Sequence, residues 1–281
     1  MSGLRKFILL LLLVVAPVYG QLSAELYRAA VVVENHGAQA LDRASRSGLA
    51  QVMVKLSGST SVLEQSAMRA ALDNSKSYLQ QYQYQRNSTG DLEVLIQYDQ
   101  ELVLQTLTDA RQPLWTSQRP PVLIWMVLDT GGQRRFASGA ESEILRNQLQ
   151  KSFALRAIPV QFPLYDLEDN LNLDLHDLWE LQNLDIYRAS QRYGAEHVLV
   201  ARLTGSGRDQ WMGDWLYLEK SQRYSDSLYG ADSEMVARSG VNLAAEAMAA
   251  RYALVPTGND GEGIFVQVDG IENFTAYRQV L

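Results

Sequence analysis

The chain has 281 residues, 47% of them hydrophobic and 20% charged, and a formal net charge of −7. That length suggests two domains at about 150 residues each, and an acidic balance with no Lys/Arg run argues against a role on phosphate backbones. There is no cysteine, which excludes disulfides, thiolate metal sites, cysteine nucleophiles and lipid attachment at an amino-terminal Cys.

Residues 1–20 have the order of a secretory signal. Arg5 and Lys6 are followed by an apolar run from Phe7 to Val15, and then by Val18-Tyr19-Gly20 at a cleavage position. The run is too short for a membrane span, which needs about 20 residues. Without this segment the chain carries 23 bases against 32 acids, a net charge of −9. The expectation is a protein exported to the periplasm, with no membrane span once the signal is cleaved; the alternative is an uncleaved amino-terminal anchor, with the rest of the chain exported all the same.

The first unit is expected over residues 24–112. Glu25 to Glu34 is rich in Val and reads as a strand, and Asn35-His36-Gly37 as a turn. From Ala38, Leu49, Val52, Met53 and Leu56 recur at helical spacing, and Gly58 suits the residue just past a helix end. A short helix over roughly 62–72 follows. Tyr78 to Gln85 alternates Tyr and Gln as a half-buried strand would, Asn87 to Gly90 is a turn, and Leu92 to Tyr98 is another strand. Asp99 is placed to cap a helix carrying Val103, Leu107 and Ala110. The order is β-α-α-β-β-α. Pro113, Pro120 and Pro121 then mark a connector, since the residue before proline disfavours helix.

The second unit is expected over 121–254. Pro121 to Asp129 is apolar almost throughout, as a strand covered on both faces would be. Thr130-Gly131-Gly132 begins a polar loop. Ser138 and Glu141 have capping-box spacing ahead of a helix with Leu145, Leu149 and Phe153. Ala157 to Phe162 reads as a strand. Asp185 is placed to cap a helix that Gly194 stops. Strands follow over 196–204, 214–220 and 223–229, and then an Ala-rich helix from about Ala231 to Tyr252. The order β-α-β-α-β-β-β-α implies a mixed sheet with helices on it. After a Gly-rich stretch, Ile264 to Val268 reads as a strand and Glu272 to Leu281 as the start of a helix. Residues 263–281 thus read as the opening of a third, incomplete module, the alternative being a tail that docks on the second domain. The fold class is α/β and α+β, with two small mixed-sheet domains.

Several pieces, in their order, resemble the exported proteobacterial proteins grouped as domain of unknown function 2066. They are Leu49-Ala50-Gln51-Val52-Met53-Val54-Lys55-Leu56-Ser57-Gly58, Tyr78-Leu79-Gln80-Gln81-Tyr82, Arg192-Tyr193-Gly194-Ala195-Glu196-His197-Val198-Leu199-Val200, Trp211 with Trp215, Arg251-Tyr252-Ala253, and Val268-Asp269-Gly270-Ile271 with Tyr277. The resemblance implies a periplasmic protein of unknown activity and brings no catalytic residues.

The residues themselves offer little chemistry. His36, His176 and His197 lack zinc-motif spacing. Asp166, Glu168, Asp169, Asn170, Asn172 and Asp174 are rich in oxygen but lack the central Gly and distal Glu of an EF-hand, and the interleaved Leu167, Leu171, Leu173 and Leu175 read as a buried edge beneath a solvated loop. Asp129-Thr130-Gly131-Gly132 with Arg134 and Arg135 lacks a phosphate-loop ending, and no G-x-S-x-G elbow occurs. Trp211, Trp215 and Tyr217 are left as candidates for an aromatic binding patch, against core packing as the commoner use of such residues. No catalytic residue, metal or cofactor is expected. The favoured function is a non-enzymatic envelope accessory protein that binds other envelope proteins; the alternative is an enzyme or binding protein acting on an envelope polymer.

Overall fold

The computed structural model describes residues 24–116, 118–207, 209–220 and 222–256. The leader and the third module expected over 263–281 lie outside them.

Alternation builds the first sheet. Strands β1 (Arg28–Val32), β2 (Leu79–Arg86) and β3 (Leu92–Tyr98) pair in the order β1-β3-β2. Val94, Ile96 and Tyr98 of β3 and Ala29 of β1 are buried on one face. Helix α1 (Ala38–Ser57) covers them with Leu49, Val52, Met53 and Leu56, all fully buried. Helices α2 (Ser66–Asp73) and α3 (Gln100–Asp109) complete this core. Gly58 ends α1 at φ +80°, a left-handed position that only glycine takes without strain. Asp99 caps α3 by accepting from the Leu102 N–H at 2.9 Å. The sheet was expected to be mixed, but both of its pairings are antiparallel, because β2 and β3 form a hairpin and β1 pairs only with β3. The short helix expected over 62–72 divides into a 3-10 turn, Thr60–Glu64, and α2.

The second sheet is mixed. Strands β4 (Val122–Thr130), β5 (Gln133–Phe136), β6 (Val160–Gln161), β7 (His197–Gly205), β8 (Trp211–Glu219) and β9 (Gln222–Ala231) run in the order β5-β4-β7-β8-β9, with β6 on β4. β4 pairs in parallel with β6 and β7 and antiparallel with β5. Val122, Ile124, Met126 and Leu128 face one core, under α4 (Glu143–Leu155) and α8 (Ser233–Tyr252). Leu123, Trp125 and Val127 face the other, under α5 (Leu167–Asn172), α6 (Leu175–Trp179) and α7 (Asn183–Ser190). Three layers result, which is why β4 is apolar at nearly every position.

Local details differ from the sequence reading. Gly131 and Gly132, at φ +64° and +78°, are the two-residue turn of the β4–β5 hairpin rather than the start of a loop. β5 escapes periodicity because it is short, charged and exposed. Helices α5 and α6 are too short to show a period; Asp166 and Asp174 cap them. Asp185 sits inside the first turn of α7 and pairs with Arg188 at 2.9 Å instead of capping. Helix α4 starts at Glu143, five residues past Ser138, after a 3-10 turn over Ala140–Ser142.

The connector is a buried joint. Trp115 and Arg119 are 1% and 8% exposed. The Trp115 N–H donates to Leu56 O at 2.6 Å, and Leu114 pairs with Leu254 beyond the end of α8. Among the described residues no helix is long and apolar enough to cross a membrane.

Candidate functional site

The register of the first sheet places Arg28, Gln97 and Gln81 side by side across its three strands, and Ala30, Leu95 and Gln83 in the next row. Side chains alternate along each strand, so these rows share the face opposite α1. That face is open. With Gln51 and Lys55 of α1, and with Ala154 and Leu155 at the end of α4, it lines a cleft of about 640 Å³ between the two sheet domains. This volume falls in the range of ligand sites, roughly 300–1,000 Å³.

The floor of the cleft is electrostatically fixed. Lys55 Nζ donates to Arg28 O at 2.7 Å and to Glu25 O at 3.2 Å, at the outer edge of β1. Burial lowers the Lys55 pKa to about 8; the nearby Arg119 guanidinium adds to the shift and Glu25 opposes it. Arg28 is held from both sides, donating Nε to Gln97 Oε1 at 2.6 Å and a terminal nitrogen to Glu25 Oε1 at 2.5 Å. The remaining polar side chains of the cleft are the amides of Gln51, Gln81 and Gln83. An amide offers donors and an acceptor without charge. The cleft can therefore satisfy a ligand that presents N–H and C=O groups alternately, while Leu95, Ala154 and Leu155 give it apolar contact.

The second domain is held against the first by two buried arginines. Arg119 donates to Lys55 O at 2.7 Å, to Trp115 O at 2.5 Å and to Arg156 O at 2.6 Å. Lys55 lies in the last turn of α1 and Arg156 caps α4, so one guanidinium sits between two helix C-termini. Those ends carry partial negative charge, which compensates the buried cation. Desolvation and the neighbouring Arg156 lower the Arg119 pKa to about 10. Arg156 donates to Gly58 O and to Asn242 of α8. Burial lowers its pKa too, against the pull of Glu246. The width of the cleft is set by this joint.

A second polar network lies under α8. His197 is 1% exposed; its Nδ1 is 2.6 Å from Tyr217 OH and its Nε2 is 3.0 Å from Tyr252 OH. Glu219 stands behind it, 3.7 Å from Nδ1, and pairs with Arg251 at 2.6 Å. Tyr252 stacks on Trp115, so the network reaches the joint.

The aromatic candidates Trp211, Trp215 and Tyr217 lie away from the cleft. Trp215 and Tyr217 are fully buried, with Trp215 Nε1 donating to Val236 O at 3.1 Å and its ring against Gly240. Trp211 keeps part of its ring in solvent and packs on Gly205. The three line the sheet face beneath α8 and so form no surface patch. Of the histidines, His36 rests on Tyr84, His176 lies on α6 and His197 is in the core. The acidic stretch is tied down by Arg192, which bonds Asp166 and Asp169 at 2.6 and 2.8 Å and holds the Asp166 carboxyl well below its usual range, with the Asp169 N–H adding to that shift. Among the described residues no three potential metal ligands come together. Arg134 stacks on Trp179, and Arg135 bonds Thr130.

The cleft escapes a reading of the sequence because its signal is dispersed. The Tyr–Gln alternation of β2 is visible, but it reads as tyrosines on a buried face with glutamines turned to water, and it is the glutamines that line the site. Lys55 reads as a polar residue on the outer face of a helix.

Comparison with known proteins finds a match to the model of the domain of unknown function DUF8605 over residues 21–116. This corrects the resemblance to domain of unknown function 2066, which is a different family. The pieces that suggested it have general causes. Leu49 to Gly58 is a buried helix face with its glycine stop, and Arg192 to Val200 is another glycine stop leading into a core strand. No curated protein matches the chain. Among solved structures, protein VC0702 from Vibrio cholerae is similar over 47% of this chain and 96% of its own, at 11% identity and a TM-score of 0.28. A likeness of that degree carries no argument. The match to the domain of unknown function thus spans the first sheet domain, with one wall of the cleft and Trp115.

Proposed function

We propose that this protein is a non-enzymatic accessory protein of the cell envelope which holds an extended segment of another protein in the cleft between its two sheet domains. The observation that carries the reading is the amide lining. Gln81, Gln83 and Gln97 stand on adjacent strands beside Leu95, and Gln51 of α1 also lines the cleft. Such groups match the alternating donors and acceptors of an extended main chain, and the aliphatic wall accepts its side chains. The one lysine of the cleft is engaged by two main-chain oxygens, which fits a role in shaping the floor. Export to the periplasm rests on the order of Arg5, Lys6 and the apolar run to Val15.

A photoreactive residue at Gln83, introduced in the native host, tests this. A crosslinked envelope protein whose site maps to one extended peptide is the expected result. The outcome that overturns it is a crosslink to cell-wall glycan, or none at Gln83 when a control at exposed Leu155 on the opposite wall also gives none.

A further inference from the structure

The face that α5 and α7 turn away from the sheet carries leucine where solvent-facing helices carry polar residues. Leu164, Leu167, Leu171 and Leu184 are 69, 76, 78 and 70% exposed. These are surplus to the core, because the same helices and their loops already bury Leu173, Leu178, Leu181 and Ile186. Leu167 and Leu171 are four residues apart on α5 and so lie one above the other, about 6 Å apart. Arg192, just beyond α7, bonds Asp166 at the start of α5. The end of α7 therefore lies beside the start of α5, and Leu184 is carried on the same helical layer. Exposed leucines concentrated on one helical layer in this way mark interaction surfaces.

Charge identifies what fits there. Residues 164–193 hold seven acids against Arg188 and Arg192, a net charge of −5. Both arginines are engaged by acids of the same segment. A second copy would bring the same acids. The chain's own residues 257–281 hold four acids against Arg278, a net charge of −3, and are repelled as well.

We propose that this leucine face docks an amphipathic helix of another protein, apolar on one side and flanked by lysines or arginines. The site is separate from the cleft and stands whatever the cleft binds.

The test uses the full chain and two synthetic amphipathic helices, one of leucine and lysine and one of leucine and glutamate. The lysine peptide is expected to bind saturably, more weakly as salt is raised, and the glutamate peptide not to bind. Leu167→Gln with Leu171→Gln should weaken binding about tenfold or more, and Leu184→Gln should also weaken it, with melting unchanged because all three sites are exposed. Four results overturn the proposal. One is absence of binding. Another is equal binding of both peptides. A third is unaltered binding by the variants. The last is binding only by chains lacking residues 1–20 or 257–281, which would make the chain's own segment the occupant.

Discussion

The guanidinium of Arg119 donates to the main-chain oxygen of Arg156 at 2.6 Å, while the side chain of Arg156 reaches back to Gly58 O. Both guanidiniums thus bond main-chain oxygens at the end of α1, and Arg119 also bonds one at the end of α4. Replacing Arg119 by Ala leaves Lys55 O and Arg156 O buried without this donor. The expected loss is about 3–5 kcal/mol, as for other broken buried charge networks. Denaturation of Arg119→Ala should also separate into two transitions, one per sheet domain, where the parent shows one. Arg119→Lys, lacking the planar fork, should recover little of the loss.

Close packing of α8 on the sheet gives a second test. A Cβ at Gly240 would stand 2.6 Å from the Trp215 ring. Gly240→Ala should cost about 1–3 kcal/mol through overpacking. Gly131→Ala serves as the contrast, because its site is open and only its φ of +64° is strained. About 1 kcal/mol is expected there. Urea midpoints of the two variants read the difference.

Trp215 and Trp211 separate in the same way. Trp215→Ala empties a fully buried site and should cost about 3–5 kcal/mol, whereas Trp211→Phe, with its ring partly in solvent, should cost about 1 kcal/mol or less. Equal losses would place Trp211 in the core as well.

The His197 network makes stability depend on pH. Burial lowers the His197 pKa from its ordinary value; Glu219 and Glu196 oppose the shift, and Arg251 and Lys220 add to it. Tyr217 and Tyr252 hold the two ring nitrogens. Because the folded pKa lies below the unfolded one, the unfolded chain binds the extra proton first. Stability is full above about pH 6.5 and falls as pH drops below it. His197→Gln should be less stable at neutral pH and show a flatter decline from about pH 6.5 downward, measured as the difference in urea midpoints between the two proteins. A parallel decline in both would mean that other groups set it.

What the sequence allowed to be read follows from the range of each signal. Leu49 to Leu56, Asp99 and Gly58 act within one or two turns of chain, so the helix, cap and stop they specify were legible. β4 announced its place by its unbroken apolar run. Helices α5 and α6 were not legible, since five or six residues hold no period, and Leu167 and Leu171 carried the opposite message to their actual exposure. The cleft and the joint were invisible for another reason. Lys55, Arg119 and Arg156 are far apart in sequence, and each reads as a surface cation until the fold brings two helix ends to meet them. Pro113, Pro120 and Pro121 spoke for a linker, and they do interrupt helix; nothing local says that Trp115 between them is buried.

The position of Arg119 has a consequence for how this architecture can be cut and recombined. The region matching the unknown-function domain ends at residue 116, one turn of chain before Arg119. An excised first domain would keep Trp115 and lose the cation that covers Lys55 O. Its longest helix would then keep the Trp115 N–H on Leu56 O but present Lys55 O and Gly58 O without their arginine donors. In this chain the first domain is therefore completed by a residue that lies three positions past the end of the matched region.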